Sequence, residues 1–227
     1  MNAFEFFFSF YGLVLGLSVA VIATGAARAF KHRKTVRVGW KTPLLAVFAA
    51  FDIATFWDAA WTNLGQAPYS YGMLIAGLVV AIVYFIAANL IFPEPEDDAH
   101  SLDQHFGANK RAVLLLLTLA NILMVALCLS MQVGQPHFAI LAVGYAVNFL
   151  IYVALVVPAA LTKRAWVFAT TMGLHIALYL VLAVMSAVAP DMMAAAATGT
   201  ASPAASTQPK AADAPPTAVA PAGSPGA

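Results

Sequence analysis

Six apolar runs, each close to the length of a membrane span, leave this chain few folds to choose from. About 20 apolar residues wound as an α-helix match the hydrocarbon thickness of a bilayer. The runs lie at about 4–28, 43–63, 69–92, 111–131, 137–160 and 166–189. Of 227 residues, 62% are hydrophobic and 9% charged, against roughly a quarter charged in an ordinary soluble domain. A soluble fold so composed could not cover its own surface. The expected fold class is therefore all-α, a polytopic transmembrane helical bundle of six spans within 1–190. Proline punctuation agrees: Pro43 and Pro136 stand where helices should begin, Pro93 and Pro190 just past where they should end.

Basic residues orient the spans, because lysine and arginine are retained on the cytoplasmic side during insertion. Arg28, Lys31, Arg33, Lys34, Arg37 and Lys41 lie between spans one and two, Lys110 and Arg111 before span four, and Lys163 and Arg164 between spans five and six. Lys210 alone falls elsewhere, and the connections NLGQAPYS and MQVGQPH carry no lysine or arginine. Both termini are expected outside, in a multi-pass protein of a bacterial inner membrane. The opening stretch carries Glu5, lacks a basic leader and exceeds the apolar length of a signal peptide, so it reads as a retained first helix. Three spans followed by three also suit the opposed halves of an inverted-repeat transporter.

Between the spans, PEPEDDAHSLDQHFGANKR holds Glu94, Glu96, Asp97, Asp98 and Asp103 beside His100 and His105, at spacings that match no calcium or zinc pattern. It reads as a solvated linker. From 191 to 227 the composition turns to Ala, Pro, Ser and Thr, which cannot bury a core, so a disordered tail is expected. Cys128 is the single cysteine, which rules out an intrachain disulfide and a cysteine metal site. A net charge of +1 argues against nucleic acid as a partner. The basic segment 28–41 suits anionic lipid headgroups, although its role in orienting the helices already accounts for it.

Depth follows from the helical rise of 1.5 Å per residue. Asp52 from Lys41, Asn121 from Arg111 and His175 from Arg164 each lie about ten positions inside the membrane, and Asn148 about twelve from Pro136 on a helix running the other way. Four polar side chains thus share one layer near the midplane. Residues three or four apart share a helix face, which groups Asp52, Thr55 and Thr62; Thr118, Asn121, Cys128 and Gln132; Tyr145, Asn148 and Tyr152; and Thr171, His175, Tyr179 and Ser186. Spans two, four, five and six are expected to face a polar layer. Spans one and three carry small residues instead, with Gly12 and Gly16 in a GxxxG motif and Gly77, Ala81 and Ala88 beside Tyr84. Such stripes let helices approach closely, and GxxxG hints at a homo-oligomer.

Charged groups at mid-membrane cost several kcal/mol and rarely face lipid, so Asp52 is expected to point inward. The sharper reading makes Asp52 and His175 a proton or ion relay, with Asn121, Asn148, Tyr145, Tyr152, Tyr179, Thr55 and Thr171 shaping the pathway. The protein would then be a small transporter or channel for protons, an ion or a small solute. The plainer reading makes these residues interhelical hydrogen bonds that fix packing in a scaffold, sensor or accessory subunit. Asp58, between Trp57 and Trp61, belongs to the outer interface, where it reaches water or receives a solute on the periplasmic side. No GxGD-like aspartyl-protease element occurs, and His137 lies far from the depth of His175. An enzyme is not expected, nor a cofactor or metal.

Overall fold

The computed structural model describes residues 3–34, 39–64, 70–94 and 102–189. The tail expected at 191–227 lies outside the described residues, as do Arg37, Pro190, Lys210, Glu96, Asp97, Asp98 and His100. Six helices follow in order: α1 (Ala3–Lys31), α2 (Lys41–Leu64), α3 (Tyr71–Asn89), α4 (Leu102–Gln132), α5 (Phe138–Leu161) and α6 (Ala165–Val188). Each is long and apolar enough to cross a membrane. Hydrocarbon offers no partner to a peptide N–H or C=O, so a spanning segment must satisfy its backbone internally, which a helix does. The described residues are all-helical in their regular structure, and the six apolar helices make the chain a multi-pass integral membrane protein.

Local chemistry sets the helix ends. Pro43 occupies the first turn of α2, where its missing N–H has no intrahelical partner to lose. Ser70 caps α3, its hydroxyl accepting the Met73 N–H at 3.2 Å. Beyond α4, Gly134 adopts φ 88°, a left-handed conformation that glycine takes without steric cost, and the chain turns into α5.

One boundary differs from the sequence expectation. The stretch 102–110 is the start of α4 rather than part of a solvated linker. Leu102 and Phe106, four residues apart and therefore on one face, are both buried. The buried Thr42 hydroxyl donates to the Leu102 carbonyl at 3.3 Å. The His105 ring approaches the Leu90 carbonyl at 3.1 Å, at the end of α3.

Within the compact unit Met1–Val184, α1 packs on α2 and α3, and α4 packs on α2 and α3 in turn, so these four helices close a ring in the order α1, α2, α4, α3. Helix α5 lies along α4. Helix α6 meets the bundle through buried side chains: Phe168 lies against Phe106 of α4, His175 against Phe48 of α2, and the Tyr179 hydroxyl bonds Asp52. The last turn of α6, from Met185, belongs to a second unit, where the Ala189 N–H bonds the Met185 carbonyl at 2.9 Å.

Glycine sets the closest approaches in the ring. Gly77 of α3 faces the Tyr11 ring of α1 so tightly that a Cβ there would overlap it, and Ala81 and Ala88 continue the buried stripe. Gly12 meets the Trp57 ring of α2, where an added Cβ would sit 2.5 Å from the indole edge. Gly16, its partner in the GxxxG motif, is exposed with nothing within 4 Å of a built Cβ. The motif is therefore split: Gly12 packs inside the bundle, whereas Gly16 faces outward.

Candidate functional site

The buried stripe of α2 runs through Phe48, Asp52 and Phe56 at four-residue spacing, which carries one charged group into an apolar interior. Asp52 is 2% exposed. Three helices supply its partners. From α6, the Tyr179 hydroxyl donates to Oδ1 at 2.7 Å; from α3, the Tyr84 hydroxyl donates to Oδ2 at 3.1 Å. From α4, the Asn121 amide lies 3.3 Å from Oδ1 and 3.1 Å from Oδ2, while its nitrogen also donates to the Leu117 carbonyl at 3.0 Å. With two hydrogens available, one holds the helix backbone and the other is shared across the carboxylate. All three partners are neutral, so they solvate the carboxylate without cancelling its charge.

His175, one turn before Tyr179 on α6, is also 2% exposed. Its ring is enclosed by Tyr179, Phe48 and Tyr152, with centroids 4.7, 5.0 and 5.1 Å away. Tyr152 in turn stacks on Phe149 at 6.3 Å. Large aromatic groups thus fill the space between α2, α5 and α6. One polar atom in this cluster is buried without a hydrogen-bond partner, the His175 Nδ1, while the Tyr152 hydroxyl lies beside Thr118 and Asn121. Most buried polar atoms in proteins are paired, and an unpaired one marks a strained group or a place for water or an ion.

Comparison of the chain with known protein families, curated proteins and solved structures finds no match. The functional reading rests on geometry.

Asp52, Asn121, Tyr179, His175 and Tyr152 come together in one cluster. Asp52 does not hydrogen-bond His175; Tyr179 stands between them, its hydroxyl on the acid and its ring against the imidazole. The other expected pathway residues lie elsewhere. Thr55 is exposed, its hydroxyl turned back to the Phe51 carbonyl at 2.8 Å. Thr171 is half-buried and likewise bonds the Val167 carbonyl at 2.8 Å. Tyr145 donates to the Asn63 side chain at 2.8 Å, roughly 16 Å farther along α2 than Asp52 by helical rise. Asn148 is exposed on the outer face of α5. Asp58 is exposed beside the aromatic group in which Phe8 meets Trp57 and Trp61 edge-on at 5.3 and 4.8 Å.

Sequence reasoning assigned α3 to packing alone and so missed Tyr84 as a partner of the acid. A signal was present: Tyr84 is the one polar side chain between Gly72 and Ala88, and a buried phenol needs an acceptor. Phe48 was missed as well, because an apolar residue in an apolar span carries no signal of its own.

Proposed function

We propose that the protein is a small transporter or channel that moves protons or a small cation through the site around Asp52. One observation carries this reading: a buried carboxylate held only by neutral donors adjoins a buried imidazole nitrogen with no partner. An ionised carboxylate far from water is costly, and three neutral donors offset part of that cost while leaving the charge. A proton or a cation removes it. Tyr179 links the acid to the aromatic cluster in which the unpaired His175 Nδ1 offers a further polar position for a guest. In this reading Asp52 is the charge-bearing group, Tyr84, Asn121 and Tyr179 hold it, and Asp58 marks the outer mouth. The basic helix ends face a bacterial cytoplasm. The protein acts as a carrier and not as an enzyme, since the acid and the imidazole are separated by Tyr179 rather than paired for acid–base work.

Asp52→Asn tests the proposal in proteoliposomes that carry a pH-sensitive dye. The variant is expected to stay folded and lose pH-driven flux. Wild-type vesicles that show no flux of protons or alkali cations, or a variant with undiminished flux, would overturn it.

A second reading has its own support. The Tyr179 to Asp52 bond joins α6 to α2 and so also tethers the last helix. In a non-transporting scaffold or accessory subunit that tether would be the residue's whole role. Asp52→Asn would then lower thermal stability in a protein whose wild type shows no flux.

A further inference from the structure

A second polar centre lies at the basic end of the bundle, away from Asp52. A cavity of about 490 Å³ opens where α2 begins, α4 passes and α5 turns into α6. Five cations line it, Lys41, Lys110, Arg111, Lys163 and Arg164, against a single acid, Asp103. Lys41 pairs with Asp103 at 3.5 Å, which leaves four positive charges uncompensated.

These cations are not merely scattered over a solvated face. The Lys110 ammonium donates to the Thr162 carbonyl at the end of α5. It also lies 5.8 and 5.7 Å from the ring centres of Phe106 and Phe168, so its head is held against the cavity wall. The Thr162 hydroxyl accepts the Arg164 N–H at 3.0 Å, which fixes the turn that presents Lys163 and Arg164. Helix α6 starts at Ala165, itself part of the lining, and has no acidic residue in its first turn. Its leading amides and the positive end of its dipole add to the field of the cations. Trp166 is exposed beside this turn, with Leu161 before it, the kind of side chain that sits at the level of lipid headgroups.

We propose that this cavity binds a phosphate group, that of an anionic membrane lipid headgroup. The volume admits a phosphate with its glycerol. Arginine and lysine from three segments can surround the phosphate oxygens, and a helix N-terminus completes an anion site. The exposed apolar side chains beside the cavity place it where a lipid can enter sideways while its acyl chains stay in the bilayer.

Native mass spectrometry and thermal shift on the purified full chain test this with three additions: phosphatidylglycerol, phosphatidylcholine and inorganic phosphate. The wild type is expected to retain phosphatidylglycerol and melt higher with it, with no such response to phosphatidylcholine and a weaker effect at raised salt. Each basic residue beside an anionic headgroup is worth roughly a fivefold change in binding, so Lys163→Gln with Arg164→Gln should weaken it roughly 25-fold. Both side chains are exposed, so the lipid-free melting temperature should match the wild type. Lys31→Gln with Arg33→Gln, at the end of α1, should retain binding. Stabilisation by inorganic phosphate equal to that by the lipid, and lost in the double variant, supports the phosphate site with a soluble source. Undiminished phosphatidylglycerol binding by the Lys163/Arg164 variant, or equal retention of phosphatidylcholine, overturns the proposal.

Discussion

Tyr179→Phe removes one oxygen atom and leaves the aromatic ring, so its cost isolates the bond from α6 to Asp52. The ring should keep its stacking on Phe48, 6.2 Å away at 13°, and its contact with His175. What is lost is a 2.7 Å hydrogen bond to Oδ1. Hydrogen bonds to charged groups contribute about 1.5–3 kcal/mol in soluble proteins. Interhelical bonds in membranes average only about 0.6 kcal/mol, because the separated helices find other partners. The charge and the short distance favour the upper end and the membrane reference state lowers it, so about 1–2 kcal/mol is expected. Tyr84→Phe removes a longer bond, 3.1 Å, to an oxygen that Asn121 also serves, and should cost less, about 0.5–1 kcal/mol. Unfolding by denaturant in mixed micelles measures both, and a double-mutant cycle with Asp52→Asn isolates the coupling. A cost for Tyr179→Phe no greater than that for Tyr84→Phe, or energies that simply add in the cycle, would refute the argument.

Other substitutions probe the packing and the cluster. Gly77→Ala drives a methyl into the Tyr11 ring and is expected to cost about 1–3 kcal/mol. Gly16→Ala meets open space and, by helix propensity, should be neutral or stabilising by up to about 1 kcal/mol; equal effects in the same unfolding assay would contradict the split of the GxxxG pair. His175→Phe fills the aromatic cage and removes an unpaired buried nitrogen, so it should raise stability by about 1 kcal/mol while abolishing pH-driven flux; a loss of stability with flux intact would point the other way. Asn148→Leu should leave flux unchanged, since that side chain is exposed on α5, and a shift in mass by light scattering would reveal a role between copies of the chain.

The helices were legible because the bilayer forces the issue: long apolar runs have one way to satisfy their backbones. Which faces meet was harder to read, and threonine explains part of the failure. Thr55 and Thr62 were grouped with Asp52 as a polar stripe, yet both hydroxyls bond the carbonyl four residues back, at 2.8 and 2.9 Å, and sit exposed. A threonine satisfied by its own helix needs no polar interior. A carboxylate has no such escape, because it can only accept and the helix carbonyls only accept too. Asp52 was therefore placed inward from sequence, and Thr55 was not. Depth counting brought Asp52, Asn121 and His175 to one layer, and the structure joins them in one cluster. The same counting put Asn148 there, but depth says nothing about azimuth, and Asn148 lies on the outer face. The start of α4 was missed because its charged residues masked the pair Leu102 and Phe106.

The bond from Tyr179 of the last helix to Asp52 bears on the order in which the protein is built. Synthesis proceeds from the N-terminus, so α1, α2, α3 and α4 are made before α6. These four close a ring without it. At that stage Asp52 already has Tyr84 and Asn121, but its shortest bond, from Tyr179, has yet to form. The acid then works as a latch that the last helix closes. A nascent bundle carries an incompletely satisfied carboxylate until its sixth span arrives.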